Sequence, residues 1–185
     1  MREETKEFGR PWRDSAVRPM AITPDDKILF FQLSFLHGFY EFDLEKKRIT
    51  RMKVLPGAEE LDKLDPREFQ LNSADHGITL NGEGTKLCVA GTMTGMAYVV
   101  RRDTFDVKTI GLHDKQRPEV KPKPYWSTTS ADGKHCYVSL SGLDRVVVIS
   151  FEDEEIVGTV NVGTHPQRIR NGHILVSALS GSPRP

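Results

Sequence analysis

Three stretches of this 185-residue chain can be written one beneath another, and that internal repetition limits the fold more than any other feature. The first runs from Arg18 (RPMAITPDDKILFFQLSFLHGFYEFDLEKKRITRMKV). The second runs from His76 (HGITLNGEGTKLCVAGTMTGMAYVVRRDTFDVKTIGL), and the third from Tyr125 (YWSTTSADGKHCYVSLSGLDRVVVISFEDEEIVGTVNV). Each begins with a short β-prone stretch, then turns through a Pro/Asp/Gly cluster ending in lysine: Lys27, Lys86 and Lys134. These lysines stand 59 and 48 residues apart (86 − 27 and 134 − 86). An insertion from Pro56 to Asp75 accounts for the longer interval. A repeat of about 40–50 residues is one blade of a β-propeller.

The strand rhythm recurs inside each unit. Pro24-Asp25-Asp26, Gly82-Glu83-Gly84 and Ala131-Asp132-Gly133 permit tight hairpins, because Gly and Asp tolerate positive φ or bond their own backbone. The second strands, Ile28–Leu33, Leu87–Gly91 and His135–Leu140, are apolar at nearly every position, as strands buried on both faces are. Third strands are expected in Phe39–Phe42, Met96–Val100 and Val146–Phe151. More charged outer strands are expected in Arg48–Val54, Asp106–Leu112 and Glu155–Val162. The reading is an all-β propeller of three four-stranded blades (18–55, 76–112 and 125–162) and a partial fourth (165–178). An extension (1–17) precedes them and a tail (179–185) follows. The insertion 56–75 contains a short helix within Ala58–Phe69, split at Pro66.

Cys88 and Cys136 both fall two residues after the turn lysine, where the first blade has Leu29. On that register they are equivalent positions of adjacent blades and read as two buried free thiols. A disulfide needs Cα atoms within about 7 Å, whereas stacked sheets lie about 10 Å apart.

The units resemble the YVTN-type propeller repeats of surface-layer and lactonase-like proteins. The residues that carry the resemblance are Thr23-Pro24-Asp25-Asp26-Lys27-Ile28-Leu29, the run from Ser130 to Ser139, and the inter-blade phrase from Gly158 to Pro166. The tetrapeptide behind the family's name becomes Cys136-Tyr137-Val138-Ser139. The resemblance implies a seven-bladed ring, of which this chain holds about half. Two explanations stand: a piece of a longer propeller, which is favoured, or two copies pairing to close the ring. An open propeller exposes blade faces and strand edges, which invites association.

Composition sets few limits. Acidic and basic side chains balance, 26 against 26, so charge gives no pointer to nucleic acid or an anionic membrane. No apolar run approaches the roughly 18 residues of a membrane span. The charged N-terminus is unlike a secretory signal. An upstream signal would make the protein extracytoplasmic; without one it is cytoplasmic.

The blade-opening residues are where a site is expected, since first strands line the axial channel. They are Arg18-Pro19, His76-Gly77, Tyr125-Trp126 and His165-Pro166. Aligning on Pro124 and Pro166 instead matches His165 with Lys123. Arg18 suits a carboxylate or phosphate, and Tyr125 and Trp126 suit stacking. His76 and His165 are candidates for metal binding or proton transfer, against the plainer role of capping strands. His37, His113, His135 and His173 are scattered, and spacing groups none of them. Glu152-Asp153-Glu154-Glu155 reads as a solvated turn and Lys115–Lys123 as an exposed basic linker. G-x-S-x-G, H-E-x-x-H and P-loop motifs are absent. The expected function is a non-catalytic scaffold binding a protein or small ligand at its axial face, with no cofactor or resident metal. A lactonase-like hydrolase and a metal or redox propeller are the alternatives.

Overall fold

The computed structural model describes residues 16–69 and 73–171. Twelve strands form three sheets. The first blade holds β1 (Val17–Ile22), β2 (Ile28–Leu33), β3 (Gly38–Asp43) and β4 (Arg48–Val54). The second holds β5 (Gly77–Leu80), β6 (Lys86–Gly91), β7 (Met96–Arg101) and β8 (Val107–Gly111). The third holds β9 (Pro124–Thr129), β10 (His135–Leu140), β11 (Arg145–Ser150) and β12 (Ile156–Asn161). Within each sheet the strands pair antiparallel in chain order. The insertion forms a short helix, α1 (Ala58–Leu61), and a 3-10 turn at Pro66–Glu68. Leu61, Phe69 and Ala74 bury there against Phe35 and Met93.

One device builds each first hairpin. Thr23, Asn81 and Ser130 accept, through a side-chain oxygen, the backbone N–H five residues on: Ile28 (3.0 Å), Lys86 (2.9 Å) and His135 (2.9 Å). Three residues after each acceptor the chain is left-handed, at Asp26, Gly84 and Gly133 (φ 56°, 69° and 73°). These fixed points set the register. Lys27 aligns with Thr85 and Lys134, while Lys86 aligns with Ile28 and His135 as the first residue of a strand. The expected alignment on Lys86 is therefore one residue out.

That single step reverses the reading of the cysteines. Cys136 pairs with Thr129 as Leu87 pairs with Leu80 and Leu29 with Ile22, so Cys136, Leu87 and Leu29 are equivalent. Cys88 is instead equivalent to Tyr137 and Phe30. Strand neighbours point to opposite faces, so Cys88 faces the third blade and Cys136 faces the second. They form a disulfide, with Cα atoms 6.4 Å apart. The expectation of two free thiols is wrong for a second reason as well. Near the axis the blades converge below the usual spacing of stacked sheets: Thr79 and Thr129 hydroxyls lie 2.8 Å apart, and Ser127 Oγ donates to the Cys88 carbonyl at 3.2 Å.

Two apolar seams hold the blades together. Phe30 and Phe39 of the first blade meet Ile78, Leu87, Val89, Tyr98 and Val100 of the second. Cys88, Ala90, Ala97 and Val99 of the second meet Cys136, Val138, Val147 and Ile149 of the third. Each large side chain fully buried in these seams contributes about 1.5–3 kcal/mol. The inner strands approach closely enough to require glycine: a Cβ on Gly77 of β5 would lie 2.6 Å from the Ser127 nitrogen of β9. The hairpins touch too, where Gly82 N donates to Gly133 O at 2.9 Å. β12 carries exposed apolar residues, Ile156, Val157 and Val160. The sheets fan about one axis without closing, which makes the chain a partial propeller. Of the expected fourth blade, residues 172–178 with His173, like the tail and most of the extension, lie outside the described residues.

Candidate functional site

The inner strands β1, β5 and β9 bring the blade-opening residues to the axis, and two irregularities aim them. In β1, pairing skips between Val17 and Met20, leaving Arg18 and Pro19 opposite Gln32. In β9 it skips between Pro124 and Ser127, leaving Tyr125 and Trp126 opposite Ser139. Bulges of this kind turn side chains away from the regular alternation. Gln32 and Ser139 occupy the same position of their blades. Ser139 Oγ accepts the Trp126 N–H at 3.1 Å and donates to the Gln167 carbonyl at 2.6 Å. It thereby ties the third blade to the segment that follows it.

His76 stacks on Tyr125, with centroids 4.1 Å apart and planes 19° apart, and Trp126 lies 6.1 Å away. His76 is 6 % exposed, and its buried Nδ1 has no hydrogen-bond partner among the described residues. Burial, then the charges of Arg18 and Arg168, hold His76 below the ordinary histidine pKa. The Arg168 guanidinium sits 5.3 Å from the Trp126 ring centre. Arg18 Nε donates to Ser34 Oγ at 2.7 Å. A groove of about 430 Å³ runs along this wall, lined by Arg18, Met20, Ile78, Trp126, Thr128 and Arg170 among others. The structure thus gathers Arg18, His76, Tyr125 and Trp126, together with Arg168 and Arg170, which the sequence reading did not single out.

His165 lies apart from the groove lining. Its Nδ1 donates to the Ser141 carbonyl at 3.1 Å, and Gln167 Nε2 donates to its Nε2 at 3.3 Å. Its φ of 55° matches the 48° of Lys123. The following prolines accept equivalent bonds across the seams: Thr92 Oγ1 donates to Pro124 O, and Ser141 Oγ to Pro166 O, both at 2.7 Å. His165 is therefore the counterpart of Lys123, the second of the two registers open in the sequence, and it shapes a turn.

A second polar cluster is sealed inside the seam between the first and second blades. His37 Nδ1 and Asp75 Oδ1 are 2.8 Å apart, and both side chains are wholly buried. Asp75 Oδ2 accepts the Gly38 N–H at 2.8 Å. His37 Nε2 reaches the Pro56 carbonyl (3.0 Å) and the Tyr98 hydroxyl (3.1 Å). Burial would lower the His37 pKa, but the Asp75 charge and the hydrogen bonds from Asp75 and Pro56 raise it above the ordinary value. Burial pushes Tyr98 up to about 12. A histidine held by a carboxylate is a general-base arrangement, but a base must reach its substrate; this pair is closed to solvent and pins the insertion between two blades. Its members are 38 and 61 residues apart, a separation that no local pattern in the sequence discloses.

Among the described residues no group of three or more His, Cys, Asp or Glu is gathered as a metal site. No described helix is long and apolar enough to cross a membrane.

No protein-family profile matches the chain, and no curated protein matches its sequence. Solved structures do match. Streptogramin B lyase is similar at 15% identity and TM-score 0.64, over 87% of this chain and 46% of that one. Hydrazine synthase of Kuenenia stuttgartiensis is similar at 18% and 0.61, over 84% and 40%. The β-propeller domain of Cps50 (Swd1) from Myceliophteria thermophila is similar at 12% and 0.61, over 80% and 43%. Such identities show the fold alone. This chain spans less than half the length of each of these three proteins. It is a β-propeller in part, three blades around an axial groove.

Proposed function

We propose that the chain is the ligand-binding sector of a larger propeller and acts without catalysis, taking a small molecule in its axial groove. One observation carries this reading. Three inner strands and the segment after the third blade converge arginines and Trp126 on one groove wall, with the His76–Tyr125 stack packed beside Trp126. Concave sites that mix apolar walls with a few convergent polar groups are the usual form of ligand pockets. The remaining wall would come from blades beyond these three, supplied by a longer polypeptide of the YVTN type or by a second copy. Coverage of only 40–46% of the matched propellers supports a ring of about seven blades. The test is a thermal-shift screen of small molecules on the purified chain, repeated with Trp126→Ala and Arg18→Ala. Hits lost in both variants support the reading. Hits unchanged in both, or hydrolysis of a lactone or ester panel that either variant abolishes, would overturn it.

A further inference from the structure

Resting on that reading, we propose that the groove selects a planar aromatic anion, its ring against Trp126 and its carboxylate or phosphate between the arginines of the fourth-blade segment and Arg18.

The charge of the wall comes first. Arg18 and Arg170 line the groove, and Arg168 stands over Trp126; among the described residues none that line it is Asp or Glu. Among the described residues neither Arg168 nor Arg170 forms an ion pair. In a chain whose acidic and basic side chains balance at 26 each, two such arginines side by side are a local excess among the described residues. Guanidinium groups suit carboxylate and phosphate because their planar fork donates two parallel bonds.

The shape of the wall gives the rest. Trp126 offers an indole face, with the His76–Tyr125 stack beside it. Met20, 56 % exposed, and Ile78 supply apolar edges. A point anion such as free phosphate would leave these surfaces unused. A neutral aromatic would leave Arg168 and Arg170 without a counter-charge among the described residues. A volume of about 430 Å³ admits a one- or two-ring molecule.

Two buried polar groups adjoin the wall. His76 is 6 % exposed, and its Nδ1 has no hydrogen-bond partner among the described residues. Gln32 is wholly buried, opposite the Arg18-Pro19 bulge, and neither of its amide atoms is bonded among the described residues. Its counterpart Ser139 makes two bonds, one of them to the fourth-blade segment. Buried polar groups left unbonded are costly and few in native proteins.

Isothermal titration of the full chain should compare 2-naphthoate and phenyl phosphate with 2-naphthylmethanol, 2-naphthylmethylammonium and inorganic phosphate. The expected result is that an aromatic anion binds at least about tenfold tighter than the neutral or cationic aromatic and than inorganic phosphate, as charge-assisted bonds require. Arg168→Gln and Arg170→Gln, both on exposed side chains, should each weaken it at least about threefold with unchanged melting temperature. Trp126→Ala should weaken every aromatic probe. Equal or tighter binding of the alcohol or the amine would overturn the anion assignment while leaving the groove as a site. If no probe binds to the folded chain, both the assignment and the groove reading fail. The carboxylate and phosphate arms distinguish the two anion sources.

Discussion

Cys88 and Cys136 lie on opposite faces of equivalent strands and are bonded across the seam between the second and third blades. A disulfide closing 48 residues removes freedom from the unfolded chain, by about 4 kcal/mol on the loop-entropy view. We expect Cys88→Ala/Cys136→Ala to unfold at markedly lower temperature or denaturant. Because both side chains are fully buried, dithiothreitol should act on the native protein only as fast as the seam opens. Calorimetry and reduction kinetics check both points.

Much of the fold is legible in the sequence, because a repeat displays the same turn chemistry and strand pattern three times. What fails is register at the level of one residue. Lysine falls on the last turn position in two blades but opens the strand in the second, where Thr85 takes the turn position. One residue is enough to exchange the faces of a strand, so the cysteines look equivalent when they are complementary. The gathering of Arg18, His76, Tyr125 and Trp126 follows from their all opening blades. Arg168 and Arg170 are missed because they sit in a segment without strand pattern, placed by hydrogen bonds from Ser139 and Ser141.

The His37–Asp75 pair makes a pH-dependent contribution. The folded pKa of His37 is raised, so its stabilisation is full below the unfolded histidine value and is lost as pH rises through the folded one. The stability difference between the native chain and Asp75→Asn should therefore be greatest in mild acid and shrink at alkaline pH. His37→Ala should cost about 3–5 kcal/mol by leaving Asp75 buried without its partner. Urea titrations across pH measure both. A pH-independent difference would contradict a charged pair.

Gly77→Ala should destabilise by about 1–3 kcal/mol, because its Cβ would strike the β9 backbone at Ser127 N and Trp126 C. Gly111→Ala is the control: its Cβ would meet only Met96 Sδ, at 4.0 Å. Equal effects on melting temperature would mean that β5 and β9 do not converge as described.

Thr92→Val removes the hydroxyl that bonds Pro124 across the second seam and should cost about 1 kcal/mol or somewhat more. Ser141→Ala should do the same at the third blade and should also loosen the segment that carries Arg168. Hydrogen exchange across residues 163–171 reads that loosening directly.

The second and third sheets stack face to face through Cys88 and Cys136. Peptide mapping under non-reducing conditions, on protein produced in an oxidising compartment, tests it most directly. The predicted result is a single linked pair joining the peptide of Cys88 to that of Cys136 within one chain. Two freely alkylated thiols, or a link between two chains, would contradict the register and with it the arrangement of the blades.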